Sequence, residues 1–147
     1  MYKNILLPTD GSPLSRKAIR AGVKLAKAVG ARVTGFYAAP PATPLEYKGM
    51  FPVGYSDMTA RARAIEKTAS RRLAVIKEAA GAAGVRCTVE HVTSDFPADA
   101  IVAAAKRNKC DLIFISSHGR HGFKSSLLGS QTQKVLARSP VPVLVQR

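Results

Sequence analysis

Short apolar runs alternate with longer amphipathic stretches along this chain, and the alternation marks out its elements. Lys3 to Pro8 is a mostly apolar strand that ends in a turn. Ser12-Pro13 opens a helix, with Ser12 at the N-cap and Pro13 at the first helical position. Leu14, Ala18, Ala21, Leu25 and Ala28 recur at helical spacing and form its expected buried stripe, while Arg16, Arg20, Lys24 and Lys27 lie on the outer side. Gly30 ends this helix, and Ala31 to Ala38 is the second strand. A long helix is expected from Met58 to Ala82, with Ala62, Ile65, Ala69, Leu73, Ile76 and Ala80 on one face, closed by Gly84. Val85 to Val92 alternates as a third strand, with Val85, Cys87, Val89 and His91 on one side. Pro97 starts a third helix that ends near Asn108, with Ala100, Ile101, Ala104 and Ala105 inward. Asp111 to Ser116 is the fourth strand. Gly129 to Arg138 is the fourth helix, stopped by Ser139-Pro140, and Val141 to Val145 is the fifth strand.

Strands alternating with helices predict an α/β fold, an open five-stranded parallel sheet with helices on both faces. One stretch breaks the rhythm. Ala39 to Asp57 carries Pro40, Pro41, Pro44 and Pro52, with Tyr47, Phe51 and Tyr55 among them. So long a connection is either a functional lid or mobile segment, or a variable loop that packs its aromatics on the surface. The sequence leaves both readings open.

Composition narrows the class. A chain of 147 residues is expected to form one domain, spanning residues 1–147. A hydrophobic fraction of 46% with a mean hydropathy of 0.00 describes a soluble globular protein. No apolar run approaches the roughly 18–20 residues that cross a bilayer. Met1-Tyr2-Lys3-Asn4 leads directly into a strand rather than a signal-peptide core, so a cytoplasmic location is expected. The net charge of +14 would draw in polyanions and small anionic ligands. The basic residues are spread over several outer helix faces without a recognition motif, which argues against a nucleic-acid partner. Cys87 and Cys110 fit neither a zinc spacing nor a CxxC pair.

The chemistry concentrates between the fourth strand and the fourth helix. Ser116-Ser117-His118-Gly119 is followed by nine residues and then Gly129-Ser130. Backbone N–H groups at a helix start have no intrahelical partner, and the helix dipole places partial positive charge there. Glycines let a phosphate approach the backbone without a Cβ in the way. Such a loop suits an anion, and the expected guest is a nucleotide.

This loop resembles the nucleotide-binding signature of the universal stress protein family: Gly, two residues, Gly, nine residues, then Gly followed by Ser or Thr. Gly119 and Gly129-Ser130 match it, and Ser116 replaces the first glycine. Tyr2 to Ser12 looks like the family's first strand and Asp-Gly-Ser turn, and Ser139 to Val145 looks like its last strand. The resemblance implies the strand order 3-2-1-4-5, a Rossmann-like arrangement. Asp10 and the Ser116–Gly119 loop would then converge on the crevice between strands 1 and 4. In that order the cysteines begin strands three positions apart, about 14 Å, too far for a disulfide.

The resemblance further implies the adenine nucleotides ATP, ADP or AMP as ligand, which Mg2+ can accompany. A carboxylate beside phosphates is costly, so Asp10 should face the nucleoside, accepting from a ribose hydroxyl or the adenine amine, unless it only shapes the turn with Gly11 and Ser12. Pro8 and Thr9 would line the same wall, and Ala38 occupies a family position that contacts adenine. Gly119, Gly129 and Ser130 would hold the phosphates, with Gln131 and Thr132 as further donors; Ser117 belongs to the same binding loop, His118 occupies a family position that contacts the ligand through its backbone, and Ser116 at the cleft floor either narrows the pocket or lends a hydrogen bond. Arg120, His121 and Lys124 are either phosphate-neutralising or solvated. A homodimer is expected through Val141-Val145, where Val141, Val143 and Val145 form an apolar edge and Pro142 suits an edge strand.

There is no GxxxxGK[ST], no GxGxxG after the first strand, and no legible Ser/His/Asp or Cys/His set. Efficient phosphoryl transfer is therefore not expected, and the resemblance implies regulatory binding in a stress response. A slow ATPase or phosphotransferase, or a family member acting only through protein contacts, are the alternatives.

Overall fold

The computed structural model describes residues 1–41, 55–120 and 127–147. Most of the proline- and aromatic-rich connection, including Tyr47 and Phe51, lies outside them, as do His121 and Lys124.

Burial along each strand predicts its place in the sheet. β1 (Asn4–Pro8) and β4 (Leu112–Ser116) are buried at every position, as strands covered on both faces and flanked on both edges must be. β2 (Arg32–Ala39) is nearly as enclosed. β3 (Cys87–Thr93) and β5 (Val143–Gln146) are only half-buried. The sheet order is β3-β2-β1-β4-β5, all parallel, which is the expected order. The helices are α1 (Pro13–Val29), α2 (Tyr55–Ala83), α3 (Pro97–Arg107) and α4 (Ser130–Arg138).

Side chains alternate across the strands and build two cores. Ile5, Leu7, Leu112 and Phe114 face α1 and α2. Leu6, Ile113 and Ile115 face α3 and the α4 residue Val135. The buried face of α1 is rotated from the expected stripe: it is Ser15, Ala18, Ile19, Gly22, Val23 and Ala26, with Ala28 exposed. Two small residues explain the rotation. Ser15 turns inward to hydrogen-bond within the neighbouring turn. Gly22 lets the helix close on β1, since a Cβ there would collide with Leu7 and reach Phe114 at 3.4 Å. On α2, Ala69, Leu73, Ile76 and Ala80 are buried as expected, whereas Ala62 is exposed. His91 is also exposed, on β3, an edge strand of the sheet. The fifth strand begins at Val143 rather than Val141, after Pro142.

Polar groups beneath the sheet are matched. Asn4 is buried, accepts from Thr34 Oγ1 at 3.0 Å and donates to the Asn108 carbonyl at 3.0 Å. Asp111 accepts the N–H groups of Lys3 and Asn4. Cys87 and Cys110 are free, at the start of β3 and just before β4. No helix among the described residues is long and apolar enough to cross a membrane.

Candidate functional site

The site is assembled at the carboxyl ends of β1, β2 and β4. The β1–α1 turn is held by its own side chains. Thr9 Oγ1 accepts from the Gly11 N–H and lies 3.1 Å from Ser15 Oγ, which donates to the Ser12 carbonyl at 2.9 Å. Ser12 caps α1 as expected, its hydroxyl accepting from the Ser15 N–H at 3.2 Å. Thr9, Ser12 and Ser15 are all buried. Gly11 has φ +80°, a conformation that favours glycine.

Asp10 joins this turn to the glycine loop. Its Oδ1 accepts from the Ser12 N–H at 2.9 Å, forming an Asx turn, and its Oδ2 accepts from the Arg120 N–H. Burial alone would raise its carboxyl pKa. Hydrogen bonds from the Ser12 hydroxyl and N–H and from the Arg120 N–H outweigh that and hold it below the ordinary 3.8. Asp10 therefore serves as the turn-former that the residues alone allowed, and it also lines the cleft.

Gly119 lies against this carboxylate. A Cβ on it would stand 2.5 Å from Asp10 Oδ2, and its φ is not positive, so close approach requires the glycine. Gly129 is the N-cap of α4; a Cβ there would meet the Ser117 carbonyl at 3.1 Å and His118 Cα at 3.2 Å. Its N–H donates to the Ser117 carbonyl at 2.7 Å, and Thr132 Oγ1 donates to the Ser116 carbonyl at 2.8 Å. These bonds fasten the start of α4 to the end of β4. The Gly129 cap makes no side-chain hydrogen bond, so among the described residues no side chain satisfies the N–H groups of the first turn.

Between these junctions lies a cleft of about 580 Å³. Pro8, Thr9, Asp10, Ala38, Ser116, Gly119, Gly129, Ser130, Gln131 and Thr132 line it, so residues more than a hundred positions apart converge as expected. Ser117 and His118 do not. Ser117 is buried behind the wall, its N–H on the Gln146 carbonyl, and the His118 ring turns back to Ser117 Oγ at 3.1 Å. One wall is apolar, with Phe36, Pro97, Ile101 and Ile115. The opposite wall brings Ser15, Tyr37 and Arg72, none of them expected from the sequence. Arg72 Nη1 donates to Tyr37 Oη at 2.8 Å and its guanidinium lies 4.8 Å from the ring centroid.

The universal stress protein family model matches residues 1–147. A universal stress protein of Thermus aquaticus is 33% identical over 147 residues, which is 100% of both chains. The chain belongs to the universal stress protein family. The solved structure of the Methanocaldococcus jannaschii universal stress protein MJ0577 is 28% identical with a TM-score of 0.76, and the match covers 99% of this chain and 95% of that one. A universal stress protein solved in complex with cAMP is 26% identical with a TM-score of 0.67, covering 99% and 97%.

As a universal stress protein the chain departs from the family's loop pattern at Ser116, and the structure gives the serine a local task. Ser116 is buried, and its Oγ donates to the His118 carbonyl at 2.9 Å. The hydroxyl proton is thereby used within the loop, at a residue that lines the cleft. The remaining glycine positions, 119 and 129, retain the close approaches that give the loop its shape.

Proposed function

We propose that this universal stress protein is a regulatory protein that binds an adenine nucleotide in the crevice between β1 and β4 as part of a stress response. The observation that carries the reading is the convergence of three features on one cleft: an apolar wall, the Asp10 carboxylate and the start of α4. A flat purine suits the wall of Phe36, Ala38, Pro97 and Ile101. Ribose hydroxyls can donate to Asp10. The 5′-phosphates belong at the N–H groups and hydroxyl of Ser130, Gln131 and Thr132, where the helix dipole favours negative charge. The cAMP-bound relative supports the ligand class. Mg2+ would enter on the phosphates themselves, since Asp10 is the cleft's one carboxylate among the described residues.

Calorimetric titration with ATP, ADP and AMP tests this reading. Saturable binding is expected, and no binding of any of the three up to millimolar concentration would sink it. The enzymatic alternative, slow ATP hydrolysis at the same site, is separated by a turnover assay with and without Mg2+. We read the site as holding the nucleotide, because the cleft's polar groups hold one another and the backbone, and the Ser117–His118 hydroxyl–imidazole contact lies outside the cleft lining.

β5 pairs with β4 alone among the described residues, and Leu144 is 38% exposed on it, while Val141, Val143 and Val145 pack partly on the α3–α4 core. A homodimer through this edge would cover the open strand. A monomeric mass by light scattering at high micromolar concentration would refute that contact. Two free thiols, one of them half-exposed, suit the reducing cytoplasm.

A further inference from the structure

Two arginines line the cleft, Arg120, which meets Asp10 through its backbone N–H, and Arg72, whose guanidinium is held in place by its neighbours. Arg72 is anchored on one side by Tyr37, through the 2.8 Å hydrogen bond and the ring contact, and Tyr37 is itself buried. On the other side its Nε stands 2.7 Å from where a Cβ on Gly11 would be, so the guanidinium lies against the turn that carries Asp10. The two ion pairs among the described residues are Arg107–Glu90 and Arg138–Asp99, and neither involves Arg72. Arginine has five N–H donors, and the phenol accepts one of them. A pre-positioned guanidinium that faces a cleft and has no carboxylate partner among the described residues is suited to receive an anion from a ligand.

Its place in the cleft identifies which anion. The 5′-phosphates are assigned to the start of α4, beside the glycine loop. Arg72 belongs to α2 in the opposite helical layer and reaches the other flank of the Asp10 turn. That turn touches the glycine loop through its carboxylate, on Gly119 and Arg120, and touches Arg72 through Gly11. A carboxylate reads ribose hydroxyls, and an arginine beside it accommodates a phosphate in place of one of them. Building on the adenine-nucleotide reading, we propose that Arg72, pinned by Tyr37, recognises a second phosphate carried on the ribose. The site then selects ribose-phosphorylated adenine nucleotides, of the adenosine 3′,5′-bisphosphate kind, over simple mononucleotides. A planar fork matches a phosphate bidentately, whereas lysine would offer only a point charge.

The test is calorimetry on the full chain with AMP, ATP and adenosine 3′,5′-bisphosphate. Wild type should bind the bisphosphate at least about tenfold more tightly than AMP, the gain expected of a charge-assisted contact. Arg72→Gln should bring that ratio to about one. Arg72→Lys should leave a smaller preference that fades with added salt. Tyr37→Phe, which keeps the ring and removes the anchoring hydroxyl, should reduce the ratio without erasing it. Equal affinities for AMP and the bisphosphate in wild type overturn the proposal and need no variant to fold. An unchanged ratio in Arg72→Gln overturns it as well, since the guanidinium would then read a part common to both ligands. If AMP and ATP bind without a preference for the bisphosphate, only this inference falls. If none of the three binds, the nucleotide reading falls and takes this one with it.

Discussion

The β1–α1 turn and the β4–α4 loop do the same topological job, carrying the chain from a central strand into a helix at the same edge of the sheet. They do it in opposite ways. The first spans residues 9–12, and its polar groups are spent on one another: Thr9 on Gly11 and Ser15, Ser12 on Ser15, Asp10 on Ser12. The second spans residues 117–129 and delivers α4 at a glycine with no side-chain cap. A helix start can be satisfied by its own chain, which stabilises the fold, or left for a guest, which creates a binding site. Asp10 is the tie between the two strategies, because it accepts from both segments.

The largest effect should come from breaking that tie. Gly119→Val places a branched side chain where Asp10 Oδ2 lies 2.5 Å from the Cβ position. Overpacking and the lost carboxylate contact together should cost about 2–3 kcal/mol of binding, roughly a hundredfold. The variant should stay folded by circular dichroism, because Gly119 is exposed and outside both cores. Wild-type nucleotide affinity in the folded variant would break the account of the glycine loop.

Asp10→Asn should come next, at about 1.5–2 kcal/mol of stability, since one charged acceptor is replaced by a donor facing an N–H group. The pH dependence has a definite sign. The folded carboxyl is depressed below 3.8, so its contribution is complete above about pH 5 and is lost as pH falls through the folded value. Thermal melts of wild type and Asp10→Asn should therefore differ at neutral pH and converge in acid. A difference that grew on acidification would contradict the hydrogen-bonding pattern assigned to Asp10.

The smallest effects sharpen the comparison most, because they should fall on different observables. Ser12→Ala removes the cap of α1 and should cost roughly 1 kcal/mol of stability. Ser130→Ala removes an exposed hydroxyl at the start of α4 and should leave the melting temperature unchanged while weakening nucleotide binding several-fold, roughly 0.5–1.5 kcal/mol. Denaturation and calorimetry on the pair decide whether one helix start serves the fold and the other the guest.

Much of this design is legible in the sequence because it rests on period and punctuation. Leu112-Ile113-Phe114-Ile115 reads as a strand buried on both faces and is one. Ser12-Pro13 and Gly30 bound α1 as caps should, Gly30 at φ +73°. What resisted reading depends on contacts between distant segments. The α1 stripe was displaced because Ser15 and Gly22 carry no hydrophobic signal, yet face the turn and β1. Arg72 escaped notice because Arg71 and Arg72 are the same residue type in a helix rich in basic residues. Only the approach of Tyr37, from a strand thirty-five positions earlier, separates the solvated Arg71 from the anchored Arg72. The task of Gly119 was legible as close approach, but its neighbour in the folded chain is the Asp10 carboxylate.

The central claim is that the uncapped start of α4 receives the phosphates and the capped start of α1 does not. Backbone amide shifts of the folded protein, followed during titration with ATP, test it most directly. The N–H signals of Ser130, Gln131 and Thr132 should move saturably and by more than those of Leu14, Ser15 and Arg16. Saturable binding that leaves residues 130–132 unmoved would place the phosphates elsewhere and contradict the account.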